Sequence, residues 1–179
     1  MQKLILTAFL FCFIPLLTAK GEPDLTKPLD LKFTSVDGKT VDLSKMRGKV
    51  VLVDFWATWC PPCVAIAPDI VALYKKYHSQ GLEVVGISMD TDKKAMLDFV
   101  KEEGAPWPQY FENSDQDNVI AVKYGVDSFP TVWLVNKKGY VADANFRDKW
   151  ATLFGLERVT SPETMKKLEA EIEKQLKAP

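Results

Sequence analysis

Histidine and cysteine are scarce in this chain, and neither sign of charge is in excess. The 179 residues include one histidine, His78, and three cysteines, and the formal net charge is −1. A chain without a basic surplus lacks the electrostatic footprint of a nucleic-acid-binding protein, so we expect no nucleic-acid partner. A structural zinc site takes four cysteine or histidine ligands, and the sequence has no second pair of close cysteines. We therefore expect no metal site.

The longest hydrophobic run lies at the N-terminus. Residues 1–19, MQKLILTAFLFCFIPLLTA, place Lys3 before an apolar stretch that ends at Leu17, and Ala19 is a small residue at a possible cleavage point. This is the pattern of a secretory signal peptide, so we expect export to the periplasm or another extracytoplasmic space, where disulfides persist. The alternative is an uncleaved anchor, and only then would the chain be bound to a membrane.

Cleavage after residue 19 would remove Cys12 and leave Cys60 and Cys63, which are separated by two residues in WCPPC. A disulfide that closes so small a loop adds little entropic stabilisation, which argues against a purely structural cross-link. We interpret the pair as a redox-active dithiol that needs no other cofactor. Cys60, where a helix is predicted to begin, is the expected exposed attacking nucleophile, and Cys63 the residue that resolves the mixed disulfide.

The two prolines of the loop indicate the direction of electron flow. Pro61 costs no intrahelical hydrogen bond, because a residue at the first helical position has no intrahelical partner for its N–H in any helix. Pro61 and Pro62 together withhold two amide donors from a Cys60 thiolate and leave it the Cys63 N–H and the helix dipole. A less stabilised thiolate makes a stronger reductant, so the loop favours a reductase over an oxidase.

Apolar periodicity predicts one α/β domain over residues 29–179, after a flexible linker over residues 20–28. After an N-terminal hairpin the elements follow in the order β–α–β–α–α–β–β, which predicts a mixed central sheet flanked by helices. The predicted segments are a hairpin turning at Asp37-Gly38, strands from Val50 and Leu82, helices over 63–80 and 93–104, a loop over 105–115, a short helix ending at Gly125, and two strands joined at Lys138-Gly139.

The C-terminal tail predicts one more helix. Ser161 is a candidate N-cap, and Pro162 would occupy the first helical position. Four apolar residues form a stripe on this otherwise charged helix: Met165, Leu168, Ile172 and Leu176. We expect the stripe to dock on the sheet. The alternative places a partner-binding face in the aromatic segment over residues 150–156.

Two motifs carry a resemblance to a known family. The segments VDFWATWCPPCVAIAP and VKYGVDSFPTVWLVNKKG resemble thioredoxin. The lead-in GKVVLVDFWATWCPPC, the hairpin before it and the hydrophobic N-terminus resemble the TlpA/ResA type of exported thiol–disulfide oxidoreductase. The resemblance covers roughly residues 29–145. It implies a thioredoxin-like fold and activity on protein disulfides.

The resemblance also implies roles for residues outside the WCPPC loop. Pro130 would be a cis-proline facing the cysteines, and Phe129 before it and Trp59 would contact the substrate. Asp54 would accept the proton of Cys63; the alternative is a carboxylate that only hydrogen-bonds the loop. Burial at the end of an apolar strand is expected to raise the pKa of Asp54.

Two positions depart from the family pattern. Ile66 stands where many ResA-like proteins carry a glutamate three residues after the second cysteine. The lysine that accompanies the buried acid in thioredoxin would fall near Gly86 and is missing. Proton transfer is therefore expected to rest on Asp54 alone.

The family implies disulfide-bonded proteins as substrates, a membrane thiol electron donor and often a role in cytochrome c maturation. We expect the chain to be a monomer. One alternative is a thiol peroxidase, but Val53 and Ala57 break the P-x-x-x-T/S-x-x-C pattern that such enzymes need. Others are a disulfide-forming oxidase and a chaperone that binds unfolded chains around Phe129 and Pro130 without turnover.

Overall fold

The computed structural model describes residues 26–112, 118–142 and 162–179. The predicted signal peptide over 1–19, the segment over 150–156 and Ser161 lie outside the described residues. The elements are β1 (Lys32–Thr34), β2 (Thr40–Asp42), β3 (Val50–Trp56), α1 (Pro61–Tyr77), β4 (Leu82–Ser88), α2 (Lys93–Glu103), β5 (Gln109–Tyr110), α3 (Val119–Tyr124), β6 (Thr131–Val135) and α4 (Pro162–Lys177), with short 3-10 helices at Leu43–Met46 and His78–Gln80.

A four-stranded mixed sheet with the strand order β5-β4-β3-β6 forms the centre of the fold. Strands β3, β4 and β5 run parallel, and β6 runs antiparallel to β3. The central strand β3 is buried at every position, as its continuous apolar run predicts for a strand covered on both faces. The predicted mixed sheet and the N-terminal hairpin β1-β2 are confirmed.

Different elements cover the two faces of the sheet. Helices α1 and α4 pack on one face, where Ile66, Ile70 and Leu168 meet the apolar side chains of β3, β4 and β6. The hairpin and α3 cover the opposite face, around Phe55 and Trp133. Helix α2 instead inserts its buried side chain at the end of the sheet, beside the two cysteines. The WCPPC loop therefore lies at the C-terminal end of strand β3, and not over either face of the sheet.

The C-terminal helix docks on the sheet, as its apolar stripe predicts. Leu168 and Ile172 are fully buried in the same cluster as α1. The Tyr77 hydroxyl lies 3.0 Å from Glu169 Oε1 and 2.7 Å from Glu173 Oε1, and its single hydrogen, shared between these acceptors, ties α4 to the end of α1. In the described part of the chain, no helix is both long and apolar enough to cross a membrane.

The structure differs from the sequence-based prediction at two strands. A two-residue strand, β5, lies inside the predicted loop and pairs with β4 between Gln109 and Gly86. It is too short, and too close to Pro108, to produce a periodic signal. The predicted second strand after Lys138-Gly139 is reduced to one antiparallel bridge from Val135 to Val141, near the end of the described segment.

Candidate active site

The two cysteines lie where β3 passes into α1. Cys60 is the N-cap of α1, and Pro61 and Pro62 occupy its first two helical positions. Cys60 and Cys63 form a disulfide with an S–S distance of 2.04 Å and Cα atoms 5.3 Å apart. The Cys63 amide donates to Cys60 Sγ at 3.3 Å. As the sequence predicts, the prolines supply no N–H here, and Cys63 provides a backbone donor to the N-cap sulfur.

Cys60 is less accessible than its position at a helix start suggests. It is 5% exposed and Cys63 is 2% exposed, so the expectation of an exposed Cys60 is wrong for this disulfide form. The reason is tertiary packing, because both cysteines lie in an apolar cluster with Trp56 and Met96. Trp59, directly before Cys60, is instead 59% exposed.

The loop before β6 brings two predicted substrate-contacting residues together. The Phe129–Pro130 peptide bond is cis, as the resemblance implies. The Trp59 ring lies edge-on to the Phe129 ring, with centroids 6.1 Å apart. Both rings line an open groove of about 340 Å³, whose wall also carries the carboxylates of Glu112 and Asp127. Neither cysteine lines this groove, which reaches the WCPPC loop at Trp59, the residue directly before Cys60.

Asp54 lies on β3, under the WCPPC loop, and is 7% exposed. Desolvation by burial raises the pKa of Asp54 to about 7. Its Oδ1 has no hydrogen-bond partner, which argues against the alternative that Asp54 only hydrogen-bonds the loop. Asp54 and Cys63 line one small cavity, so the structure brings the acid and the second cysteine together.

The two departures from the family pattern have physical explanations. Ile66 is 1% exposed and packs in the apolar cluster between α1 and the sheet. At Gly86, which pairs with Asp54 in the sheet, an added Cβ would lie 1.9 Å from Gln109 Oε1. That oxygen already accepts a hydrogen bond from Trp56 Nε1 at 3.1 Å. Any side chain at position 86 would therefore require Gln109 to move away from the Trp56 indole.

Sequence reasoning missed a buried carboxylate that holds the turn before Cys60. Asp90 accepts from the Thr58 amide at 3.0 Å, the Thr58 hydroxyl at 2.6 Å and the Ser88 hydroxyl at 2.9 Å. Asp90 follows β4, whose C-terminal end lies beside that of β3 because the two strands are parallel. The signal that could have found it is the pair of polar residues Ser88, the last residue of β4, and Asp90, two positions after it.

Thr58→Val is expected to lower the free energy of unfolding by about 1–2 kcal/mol, because it leaves one buried lone pair of Asp90 without its hydroxyl donor. The rate of disulfide exchange is also expected to fall, because the turn that positions Cys60 becomes less ordered. Urea unfolding and a model-disulfide assay measure the two effects. Thr91→Val, at an exposed neighbouring position, is the control. Equal stability of the two variants would contradict this role of the Thr58 hydroxyl.

Comparison with known proteins places the chain in a family. The family model described as Redoxin matches residues 19–150, which is more than two-thirds of the sequence. The chain belongs to the Redoxin family. This Redoxin-family chain is 36% identical over 105 residues to the thiol-disulfide oxidoreductase ResA of Bacillus subtilis (strain 168), covering 59% of the chain and 57% of the relative. The ResA of Bacillus anthracis is 34% identical over 110 residues, covering 62% of each.

These alignments span less than two-thirds of the length of the curated relatives. Among solved structures, a Chlorobium tepidum protein provisionally named thiol:disulfide interchange protein DsbE has a TM-score of 0.65 and 28% identity, covering 88% of this chain and 98% of that one. A secreted Mycobacterium tuberculosis disulfide oxidoreductase has a TM-score of 0.55 and 22% identity, covering 77% and 96%. The fold of this Redoxin-family chain is therefore thioredoxin-like.

Proposed function

We propose that the chain is a thiol–disulfide oxidoreductase that reduces disulfides in proteins. The observation that carries this proposal is the Cys60–Cys63 disulfide at the start of α1, against which Phe129 of the cis Phe129–Pro130 bond packs. The ResA name of the relatives supports the same activity. Trp59 and Phe129 form the wall against which the substrate lies, and the backbone at Pro130 aligns it.

Reduction proceeds in two exchange steps. The Cys60 thiolate attacks one sulfur of the substrate disulfide, forms a mixed disulfide and releases the other substrate sulfur as a thiolate. Cys63 then loses its proton, attacks Cys60 Sγ and forms the Cys60–Cys63 disulfide, and the second substrate thiolate leaves. Two electrons pass from the dithiol to the substrate.

Asp54 is the proposed acceptor of the Cys63 proton. A carboxylate with a pKa of about 7 is matched to proton transfer near neutral pH, since it holds and releases a proton with similar ease. It lines the same cavity as Cys63. With Ile66 apolar and buried, the position of the family's glutamate contributes no second acid.

The amide donors around Cys60 support reduction as the direction of the reaction. Pro61 and Pro62 offer no N–H at the first two helical positions, and the Cys63 amide lies 3.3 Å from Cys60 Sγ. Fewer donors stabilise the thiolate form less, which makes the dithiol the stronger reductant.

The reduction potential of the Cys60–Cys63 couple is expected near that of thioredoxin, about −270 mV, and is measured by equilibration with glutathione or dithiothreitol. Pro62→Ala returns an amide at the second helical position, whose N–H points towards the N-cap sulfur. We expect this variant to raise the potential by about 30 mV, the equivalent of one hydrogen bond to the thiolate. A wild-type value near that of DsbA, about −120 mV, would support an oxidase instead.

We propose export as part of this function, on the pattern of residues 1–19. An exported reductase needs electrons outside the cytosol, so a membrane thiol protein is the proposed donor. By the same family likeness, the cysteines of an apocytochrome c are a proposed substrate. The proposed monomer is checked by sedimentation of the full chain.

A further inference from the structure

Two polar atoms in the described part of the chain are buried without a hydrogen-bond partner, and the residues that carry them line the same cavity. They are Asp54 Oδ1 and Trp107 Nε1. Their residues are 7% and 8% exposed. The cavity lies between β3, α1, the end of α2 and the start of β5, and its volume is about 20 Å³. One atom is an acceptor and the other is a donor, so their unmet requirements are complementary.

The size and chemistry of the cavity fit a single water molecule. A polar cavity larger than about 10–15 Å³ holds one water when polar partners are present. We propose that the cavity binds one ordered water, which accepts a hydrogen bond from Trp107 Nε1–H and donates one to Asp54 Oδ1, and that Trp107 is thereby a positioning residue for the Asp54 proton. The role of that proton in turnover rests on the proposed function.

Two other titratable side chains line the cavity, Cys63 from α1 and Glu103 from the end of α2. The residues that pair with Asp54 in the neighbouring strands, Gly86 and Val132, carry no charge. Glu103 is partly exposed, so it lies between the cavity and bulk solvent. The water therefore shares its cavity with a carboxylate, Glu103, that can pass a proton to solvent. It also stabilises the ionised carboxylate, which partly offsets the desolvation that raises the pKa of Asp54.

The experiment is a ¹³C NMR titration of the Asp54 carboxyl in the oxidised protein, where the disulfide removes Cys63 from the titration. Trp107→Phe keeps an aromatic ring and deletes the N–H, and it is expected to raise the midpoint by about one pH unit, the size of one hydrogen bond to a charged group.

Trp133→Phe is the matched control, because it makes the same ring exchange on the opposite face of the sheet. It is expected to lower stability and leave the midpoint unchanged. An unchanged or lowered midpoint in Trp107→Phe overturns the proposal. In the unaltered protein, the Trp107 indole proton is expected to show an NMR cross-peak to a long-lived water, and its absence also overturns the proposal. Both readouts are independent of turnover, so they stand even if the proposed reductase activity fails.

Discussion

Cys63→Ser is expected to accumulate a covalent mixed disulfide between Cys60 and its protein substrate, while turnover of a model disulfide falls to the uncatalysed background. The reason is that the Cys60 thiolate still attacks, but no thiol remains at position 63 to displace the substrate. Cys60→Ser is expected to lose turnover to the same extent and to trap no substrate. Non-reducing electrophoresis followed by mass spectrometry measures the adduct and names the protein captured.

The double variant Cys60→Ser/Cys63→Ser is the control for non-specific capture. Both single variants are made in a Cys12→Ser background, so that no third thiol of the full chain contributes. Equal adducts in the two single variants would contradict the assignment of Cys60 as the nucleophile. Full insulin reduction by both would contradict the redox role of the pair. The low exposure of Cys60 in the disulfide form makes this assignment worth testing directly.

Asp54→Asn is expected to raise the free energy of unfolding at pH 8.5 by up to about 4 kcal/mol. Burial raises the pKa of Asp54 from 3.8 to about 7, so between these values the folded protein binds a proton that the unfolded chain has lost. Wild-type stability therefore falls as pH rises through this window, and each pH unit costs about 1.4 kcal/mol. Asparagine has no such proton, so below about pH 4 the two proteins are expected to converge. Urea unfolding of the oxidised proteins from pH 4 to 8.5 measures the difference.

Asp69→Asn, at an exposed position of α1, is the control for the exchange of a carboxylate for an amide. A stability difference for Asp54→Asn that does not change with pH would contradict the raised pKa. The same variant is expected to slow the reduction of a model disulfide near neutral pH. An unchanged rate would remove Asp54 from the mechanism while leaving the stability result intact.

The parts of the site that the sequence predicts are those governed by local chemistry. A strand of continuous apolar residues, an N-cap and two prolines suffice to place Cys60 and Cys63 at a helix start. The contributions of Gln109 and Asp90 depend on contacts between segments 32 to 53 residues apart in the chain. A local pattern marks Asp90 as a polar residue after a buried strand, but it does not reveal its partner, Thr58. The burial of Cys60 is also a tertiary effect, because α2 and the Trp56 side chain pack around it.

The contact between Gln109 and Gly86 restricts how the surroundings of Asp54 can evolve. A side chain at position 86 collides with Gln109, and shortening Gln109 first removes the acceptor of the Trp56 indole. A cation introduced at position 86 would therefore displace Gln109 and cost the Trp56 indole its acceptor. The effects of substitutions at positions 86 and 109 are expected to depend on each other. The lack of a cation at position 86 is thus tied to the packing of Gln109 and not only to the chemistry of Asp54.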